Sequence, residues 1–209
     1  MDEPTPDSAE TRGLLEEARK GDRLGFDRLL ARHRPDLLQF VALRMDRKLR
    51  GRLDPSDVVQ DAHLEVYRRL GDFLDRRPMP FHIWLRKTAY ERLLMARRQH
   101  VEAAQRAVRR ERPLPDRSSL LFARRILARG STPSQSLGRR ELARRVHQIF
   151  MELPHIDREI LVMRNLEERS YHEIACILDI EPAAARKRHG RALIRLHDLL
   201  AKDDLMDSP

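Results

Sequence analysis

The residues best suited to chemistry are cationic side chains in the stretch 182–200, namely Arg186, Lys187, Arg188, Arg191 and Arg195. No acidic residue interrupts the stretch between Ala183 and His197. Guanidinium groups donate paired hydrogen bonds to phosphate oxygens and to guanine edges in a DNA groove. The stretch therefore predicts a nucleic-acid-binding helix. The alternative is a solvated basic face on an ordinary surface helix.

The preceding residues predict that this helix is the second of a helix-turn-helix. Ser170 and Glu173 have the spacing of a capping box, in which each side chain binds a free backbone N–H of the first turn. Asp179-Ile180 form a short turn, after which Glu181 suits a cap position and Pro182 the first position of a helix. The positions predicted to face inward are Ile174, Ala175 and Leu178, and then Ala185, Leu193, Leu196 and Leu200.

This C-terminal stretch resembles region 4 of RNA polymerase sigma factors, and most of all the extracytoplasmic-function (ECF) subfamily. The resemblance rests on Leu153-Pro154, Met163-Arg164, the segment Ser170–Ala175 and the helix from Pro182. In that family the second helix reads the promoter minus-thirty-five element. The resemblance thus implies that Tyr171 and the five cationic residues contact DNA.

A second candidate surface is acidic. Asp57, Asp61 and Glu65 recur every four residues and form one edge of a predicted helix, an edge that suits a basic protein partner. The structural alternative is a helix N-terminus whose dipole favours acids. The segment Leu53–Phe73 is similar to sigma region 2.2, which docks on the clamp of the polymerase largest subunit. The resemblance implies polymerase contacts by Asp57, Val58, Gln60, Asp61 and Glu65.

A third segment, Phe81–Gln99, is similar to the region 2.3–2.4 helix that grips the opened minus-ten element. The resemblance implies DNA contacts by Trp84, Arg86, Lys87, Arg97 and Arg98. An aromatic ring among cations can stack on an unpaired base, although a place in the core is the favoured interpretation of Trp84. Glu91 departs from the family, in which asparagine is common there, and the Pro78-Met79-Pro80 loop is unusual.

The elements that carry these residues are predicted to be helices. The 209 residues include only eight glycines, and apolar residues (41 %) recur at three- and four-residue steps. Helices are predicted over 22–34 and 35–49, from Pro55, from Phe81, and through most of 139–202. The fold class is therefore all-α, with a helical domain over 8–100, a basic linker over 101–138 holding one short helix near 120–128, and a helix-turn-helix domain over 139–203.

Composition limits the function classes. Lys and Arg number 42, all but five of them Arg, against 33 acids, so the net charge of +9 favours a polyanionic partner. A single cysteine excludes an internal disulfide framework. Neither a signal peptide nor an apolar run long enough to span a membrane is visible, which predicts a cytoplasmic protein.

The expected partners are core RNA polymerase and promoter DNA, with an anti-sigma factor as a further candidate, and neither a cofactor nor enzymatic activity is expected. His172 and Cys176 are spaced like two metal ligands, but further ligands at matching spacing are missing. A nuclease would have to use the acidic edge, without supporting residues. The main alternative function is a stand-alone helix-turn-helix regulator, which has no need for a polymerase-docking edge.

Overall fold

The computed structural model describes residues 4–45, 47–107, 121 and 145–203. These residues form α-helices and no β-strand, so the all-α prediction is confirmed. The chain divides into two compact units near residue 115. The N-terminal unit contains α1 (Ala9–Arg19), α2 (Arg23–Arg44), α3 (Arg47–Arg50), α4 (Pro55–Arg76) and α5 (Phe81–Ala107). The C-terminal unit contains α6, described over 145–152, α7 (His155–Asn165), α8 (Tyr171–Leu178) and α9 (Pro182–Lys202). Of α8, the residues up to Ala175 are assigned to this unit.

Local sequence signals fix both ends of α4. The Asp54 carboxylate accepts a hydrogen bond from the backbone N–H two residues on at 2.8 Å, and the Asp57 carboxylate accepts one from the Asp54 N–H at 2.9 Å. Pro55 occupies the first helical position, where its missing N–H costs nothing. At the other end Arg77 has a left-handed φ of 38° and terminates the helix. The breaks predicted on both sides of α4 are confirmed.

Pro35 lies inside α2, whereas the sequence predicts that one helix ends at Arg34 and another begins at Pro35. A proline ring removes one backbone hydrogen bond and crowds the carbonyl four residues earlier, which here belongs to Ala31. Both residues are exposed, so solvent can reach that carbonyl. Leu30 and Leu37, before and after the proline, are both buried. Burial of one continuous apolar face therefore outweighs the local break.

The helix α5 also differs from its predicted extent. It continues to Ala107, beyond residue 100, where the sequence places the start of the linker. The predicted short helix near 120–128 lies outside the described residues, apart from helical Leu121.

Aromatic packing joins α4 to α5 in the core of the N-terminal unit. The rings of Phe73 and Trp84 stack with centroids 4.3 Å apart and planes 13° apart. Phe81 meets the Phe73 ring edge-on at 5.7 Å. The apolar stripes that four-residue spacing predicts are buried here. In α4 they are Val58, Ala62 and Val66, with Leu70 half-buried; in α5 they are Phe81, Leu85, Ala89 and Leu93.

The core of the C-terminal unit lies where α7 packs against α9. It contains Val146, Ile149, Phe150, Leu153, Leu161, Val162, Ala192, Leu196 and Leu200. The spacing of Leu142, Val146, Ile149, Phe150 and Leu153 predicts one apolar stripe. The last four are buried as predicted, and Leu142 lies outside the described residues.

Replacing Pro35 with alanine should stabilise the N-terminal unit by about 1–2 kcal/mol, because it restores a helical hydrogen bond at a modest cost in unfolded-chain entropy. Trp84 is the single tryptophan of the chain and lies in this core, so urea unfolding followed by its fluorescence reports on this unit. A Pro35→Ala protein that unfolds at lower urea than the original would show that the proline fixes a necessary bend in α2.

Candidate functional site

The helix-turn-helix corner is fixed by its caps. The Ser170 hydroxyl accepts a hydrogen bond from the Glu173 N–H at 3.1 Å, and the Glu173 carboxylate accepts one from the Ser170 N–H at 3.0 Å. Asp179 ends α8 in the left-handed conformation, with φ 57°. Glu181 is the N-cap of α9, without a side-chain cap bond, and Pro182 follows it at the start of the helix. The capping box and the turn predicted from the sequence are thus confirmed.

The inward face of α9 differs from the prediction in one position. Ala185, Leu196 and Leu200 are buried as predicted, but the side chain of Leu193 is 42 % exposed. Ala192 and His189 face inward instead. A helix turns about 100° per residue, so a shift of one position moves a side chain from the core to the surface.

His189 joins the two helices of the motif through a polar network. Its Nε2 lies 3.0 Å from the Asn165 side-chain amide nitrogen, and its Nδ1 lies 3.0 Å from the Tyr171 hydroxyl. The same Asn165 nitrogen donates to the Leu161 carbonyl at 3.1 Å, which identifies it as the donor. His189 Nε2 therefore accepts, and the proton of the neutral ring lies on Nδ1. Burial, together with the nearby Arg164 charge, lowers the pKa of His189 and favours this neutral form.

The outward face of α9 carries the five predicted cations, and all five are exposed. The Arg186 guanidinium lies 5.2 Å from the centroid of the Tyr171 ring, and the Arg164 guanidinium lies 4.7 Å from the same centroid. Tyr171 therefore contacts Arg186 on one side and holds His189 through its hydroxyl. Lys187 and Arg191, one turn apart, lie on one side of the helix.

Two of the five cations face a buried acid on α7. The Asp157 carboxylate is 3 % exposed, and it lies 2.5 Å from an Arg195 nitrogen and 3.9 Å from an Arg188 nitrogen. Asp157 lies in the first turn of α7, where the helix dipole also favours an acid. Arg195 and Arg188 thus tie α9 to α7 at the same time as they extend the basic surface.

The predicted acidic edge of α4 contains both exposed and engaged members. Asp57, Gln60 and Asp61 are exposed, although the Asp57 carboxylate also caps the helix. The Glu65 side chain is only 18 % exposed and pairs with Arg92 of α5 at 3.2 Å. Glu65 therefore binds the two helices together and presents little charge to solvent.

The cations of α5 are placed unequally. Arg98 is exposed, whereas Arg86 and Lys87 are half-buried. Arg97 donates to the backbone carbonyl of Arg44 and so satisfies the C-terminal end of α2. Glu91 stands where asparagine is common in the sigma-factor family. Its carboxylate lies 3.7 Å from a guanidinium nitrogen of Arg69 in α4.

Comparison with known proteins distinguishes a sigma factor from a stand-alone helix-turn-helix regulator. Residues 143–196 match the family model described as sigma-70, region 4. Relatives include the RNA polymerase sigma-H factor of Pseudomonas aeruginosa, 26 % identical over 179 residues (86 % of this chain and 88 % of that protein). The ECF RNA polymerase sigma-E factor of Escherichia coli is 28 % identical over 184 residues, with the same coverage of 86 % and 88 %. The chain is therefore similar to ECF sigma factors over most of its length.

Solved structures of sigma factors share this fold. CnrH, in its complex with the cytosolic domain of CnrY, has a TM-score of 0.54 and 26 % identity over 93 % of this chain and 99 % of that chain. The sigma factor RpoE of Bartonella quintana, in complex with the anti-sigma factor NepR, is 19 % identical with a TM-score of 0.52, over 84 % and 96 % of the two chains. Since the relatives match both units, a sigma factor is supported over a stand-alone helix-turn-helix regulator.

Two of the predicted contact residues require correction. Val58 is 2 % exposed and Trp84 is 5 % exposed, so neither presents its side chain to a partner. Val58 faces the core because it precedes the buried Ala62 by one turn of α4. Trp84 is held in the stack with Phe73, so its favoured interpretation as a core residue is confirmed, and the DNA contact implied by the resemblance is not.

Sequence patterns missed several residues of these surfaces. Leu64 and Tyr67 of α4 are 51 % and 59 % exposed and lie next to the acidic edge. Exposed apolar side chains beside charges are typical of protein interfaces. The signal in the sequence is that Leu64 follows Asp61 by three residues, which places it on the same helix face. Asp157 and His189 gave no signal, because their partners are 18 to 38 residues away in the chain.

Within the described ranges, no group of three His, Cys, Asp or Glu side chains is arranged to hold a metal ion. Cys176 is half-buried. None of the described helices combines the length and the apolarity that crossing a membrane requires.

Lowering the pH should destabilise the C-terminal unit through His189. Because the folded pKa lies below the usual 6.5, the unfolded chain binds a proton that the folded chain excludes. The stabilising contribution of neutral His189 is therefore complete above about pH 6.5 and is lost as the pH falls through the folded pKa.

Amide exchange of α9 in the full chain, compared at about pH 7.5 and about pH 5.5, should show protection falling at the lower pH. His189→Gln should make this loss smaller. An NMR titration in which His189 protonates at or above its usual pKa would contradict the network.

Proposed function

We propose that this chain is a sigma factor of the ECF type, which binds core RNA polymerase through its N-terminal unit and reads promoter DNA with both units. The C-terminal unit would read the duplex minus-thirty-five element, and the N-terminal unit would help to open the minus-ten element. Catalysis would be the polymerase's, and the cytoplasm, where the polymerase works, would be the compartment. The single observation that carries the proposal is that sigma-factor similarity extends over 86 % of the chain, with the region 4 match at 143–196 covering the basic surface of α9.

We propose the same domain division as the sequence predicts, with one adjustment. The N-terminal domain would extend from residue 8 to Ala107, because α5 continues to that residue. The linker would then occupy 108–138, and the region 4 domain would occupy 139–203.

The polymerase-docking surface would consist of one side of α4. Asp57, Gln60, Asp61 and Leu64 are exposed at steps of three and four residues, which places them along one face. The acids would attract a basic partner helix, and Leu64 would supply the apolar contact that becomes dry on binding. Glu65 would support this face from below by holding Arg92.

Reversing the charge at Asp61 (Asp61→Lys) should weaken binding of the chain to core polymerase by roughly tenfold to 100-fold, because a like charge opposite a basic patch is repulsive. The fold should remain intact, with a change in unfolding free energy of no more than ~0.5 kcal/mol, since Asp61 is exposed. Fluorescence anisotropy of the labelled full chain against core polymerase measures the binding.

The matched control is Asp36→Lys, which makes the same charge change at an exposed position on α2. It should leave polymerase binding unchanged. Equal weakening by both variants would show that net charge, not the α4 face, governs association.

Promoter reading by α9 would divide between base contacts and phosphate contacts. Arg186 and Lys187 lie in the first turns, the part of a recognition helix that approaches base edges. Arg188 and Arg195 are held toward α7 by Asp157 and would bind phosphates. Arg191 lies one turn beyond Lys187 and would contribute to either class of contact.

Replacing Arg186 or Lys187 with alanine should cost about 1–3 kcal/mol at the preferred minus-thirty-five sequence and relax base preference. Replacing Arg188 or Arg195 should instead weaken all sequences alike and lower the salt slope by about 1. Holoenzyme binding to a matched set of promoter variants at several salt concentrations separates the two effects. Unchanged base preference in both Arg186→Ala and Lys187→Ala would contradict this division.

The minus-ten contacts would come from the outer side of α5. Among its side chains described up to residue 99, Arg98 is an exposed cation, and Arg86 and Lys87 lie nearer the N-terminus. We leave Trp84 and Arg97 out of this surface, since one is core and the other holds the end of α2. An anti-sigma factor is a further proposed partner, because the sigma factor RpoE of Bartonella quintana has one bound to the same fold.

A further inference from the structure

The short loop between α4 and α5 begins at Arg77 and contains two prolines, Pro78 and Pro80. Proline has no N–H to donate, so the loop cannot be held by a regular network of its own backbone. The loop lies immediately before the helix assigned above to minus-ten opening. The position of the loop should therefore affect how α5 contacts the opened DNA strand. The contacts that fix the loop come from residues elsewhere in the chain.

The start of α5 is capped by an acid that lies 74 residues earlier. The Asp7 carboxylate accepts hydrogen bonds from the backbone N–H groups of Phe81, at 2.6 Å, and of His82, at 3.2 Å. It also lies 2.9 Å from Nδ1 of the His82 ring. The side chains of Asp7 and His82 are only 11 % and 15 % exposed. An N-terminal segment thus provides the cap that a helix ordinarily takes from its preceding residue.

Ionised Asp7 is the form that this site favours. Burial opposes the charge, but the hydrogen bonds from His82 and from the two backbone amides outweigh it, and the pKa of Asp7 lies below its usual range.

The other end of the loop is held from α1. The Glu16 carboxylate lies 2.6 Å from a guanidinium nitrogen of Arg77, the residue that ends α4 in the left-handed conformation. The neighbouring Glu17 faces α2 instead and pairs with Arg28 at 2.7 Å. Two adjacent acids of one helix therefore serve different elements, and one of the two serves the loop.

A third contact links the segment 7–16 to the start of α5 through His33. The Thr11 hydroxyl lies 3.1 Å from Nε2 of His33, and the His33 ring packs against the Phe81 ring with centroids 5.5 Å apart. Thr11 is 1 % exposed, so this contact belongs to the core. The segment from residue 7 to residue 16 is thereby fixed to the loop at both of its ends.

We propose that Asp7 and Glu16 are positioning residues for promoter opening, holding the 77–80 loop from its two sides. This inference rests on the proposed function of α5. The two acids do not touch DNA in this account; they fix the loop and the first turn of α5 before the opened strand arrives. The conformational entropy of the loop is then lost when the protein folds, so it does not add to the free energy required for promoter opening.

The test uses holoenzyme formed from the full chain and core polymerase, on a promoter selected in vitro with the original chain. Asp7→Ala should slow promoter opening about tenfold, the equivalent of losing one charge-assisted hydrogen bond at a largely buried site. Glu16→Gln should slow it about two- to fivefold, because the pair with Arg77 is exposed to solvent. Permanganate reactivity of the unpaired thymines follows the opening. The same variants should start transcription at the original rate on a template with a pre-opened minus-ten bubble, a rescue that general loss of stability would not produce.

Two further proteins make the test specific. Glu17→Gln removes the adjacent carboxylate and its ion pair with α2, and it should open the promoter like the original chain. Glu16→Arg combined with Arg77→Glu reverses the pair and should restore most of the opening rate lost in Glu16→Gln.

Hydrogen exchange of the free chain provides a measurement that needs no promoter. The Phe81 and His82 amides should lose protection in Asp7→Ala, while the buried middle of α5 keeps it. Normal opening by both Asp7→Ala and Glu16→Gln, or slowing that the pre-opened template does not rescue, would overturn the inference alone. If the holoenzyme formed with the unsubstituted chain opens no promoter, both the proposed function and this inference are overturned.

Discussion

An α-helix leaves its first four N–H groups and its last four carbonyls without partners, and the arrangement of this protein depends on how these groups are satisfied. Asp54 and Ser170 cap α4 and α8 from the adjacent position. Asp7 caps α5 from far away in the sequence. Arg97 donates to a carbonyl at the end of α2. The proposed polymerase and minus-ten surfaces lie on α4 and α5, whose first turns are capped in this way. The DNA-reading helix α9 begins instead with Pro182, which has no N–H to satisfy.

The same constraint changes the meaning of the arginine-rich composition. Arg158 donates to the carbonyls that end α6, and Arg164 donates to a carbonyl in the turn before α8. Arg195 pairs with buried Asp157. A guanidinium group suits these tasks because it carries several donors in a fixed plane. Much of the positive charge therefore serves the fold, and the net charge of +9 overstates the part available to DNA.

Those features that depend on neighbouring residues could be predicted from the sequence. The capping box at Ser170, the proline at the start of α9 and the apolar stripes of α4 and α5 are local signals, and the structure confirms them. The inward face of α9 was predicted less well, because leucine was preferred at position 193. The core instead accepts small Ala192 and a hydrogen-bonded His189.

Features that depend on distant partners could not be predicted. Pro35 reads locally as a helix start, but the core on both sides of it keeps α2 continuous. Glu65 shares the spacing of an exposed edge, yet Arg92 on the next helix draws it inward. The placement of Asp7 at the start of α5 depends on the folding of the whole N-terminal unit.

The similarity to sigma factors indicates that the chain gives core RNA polymerase the ability to start at defined promoters. The most direct measurement is transcription in vitro by purified core polymerase on fragmented genomic DNA, with and without the chain, followed by sequencing of transcript 5′ ends. We expect discrete start sites that appear only with the chain and share two upstream sequence elements. Start sites indistinguishable from those of core polymerase alone, from a chain that still binds DNA, would contradict this function.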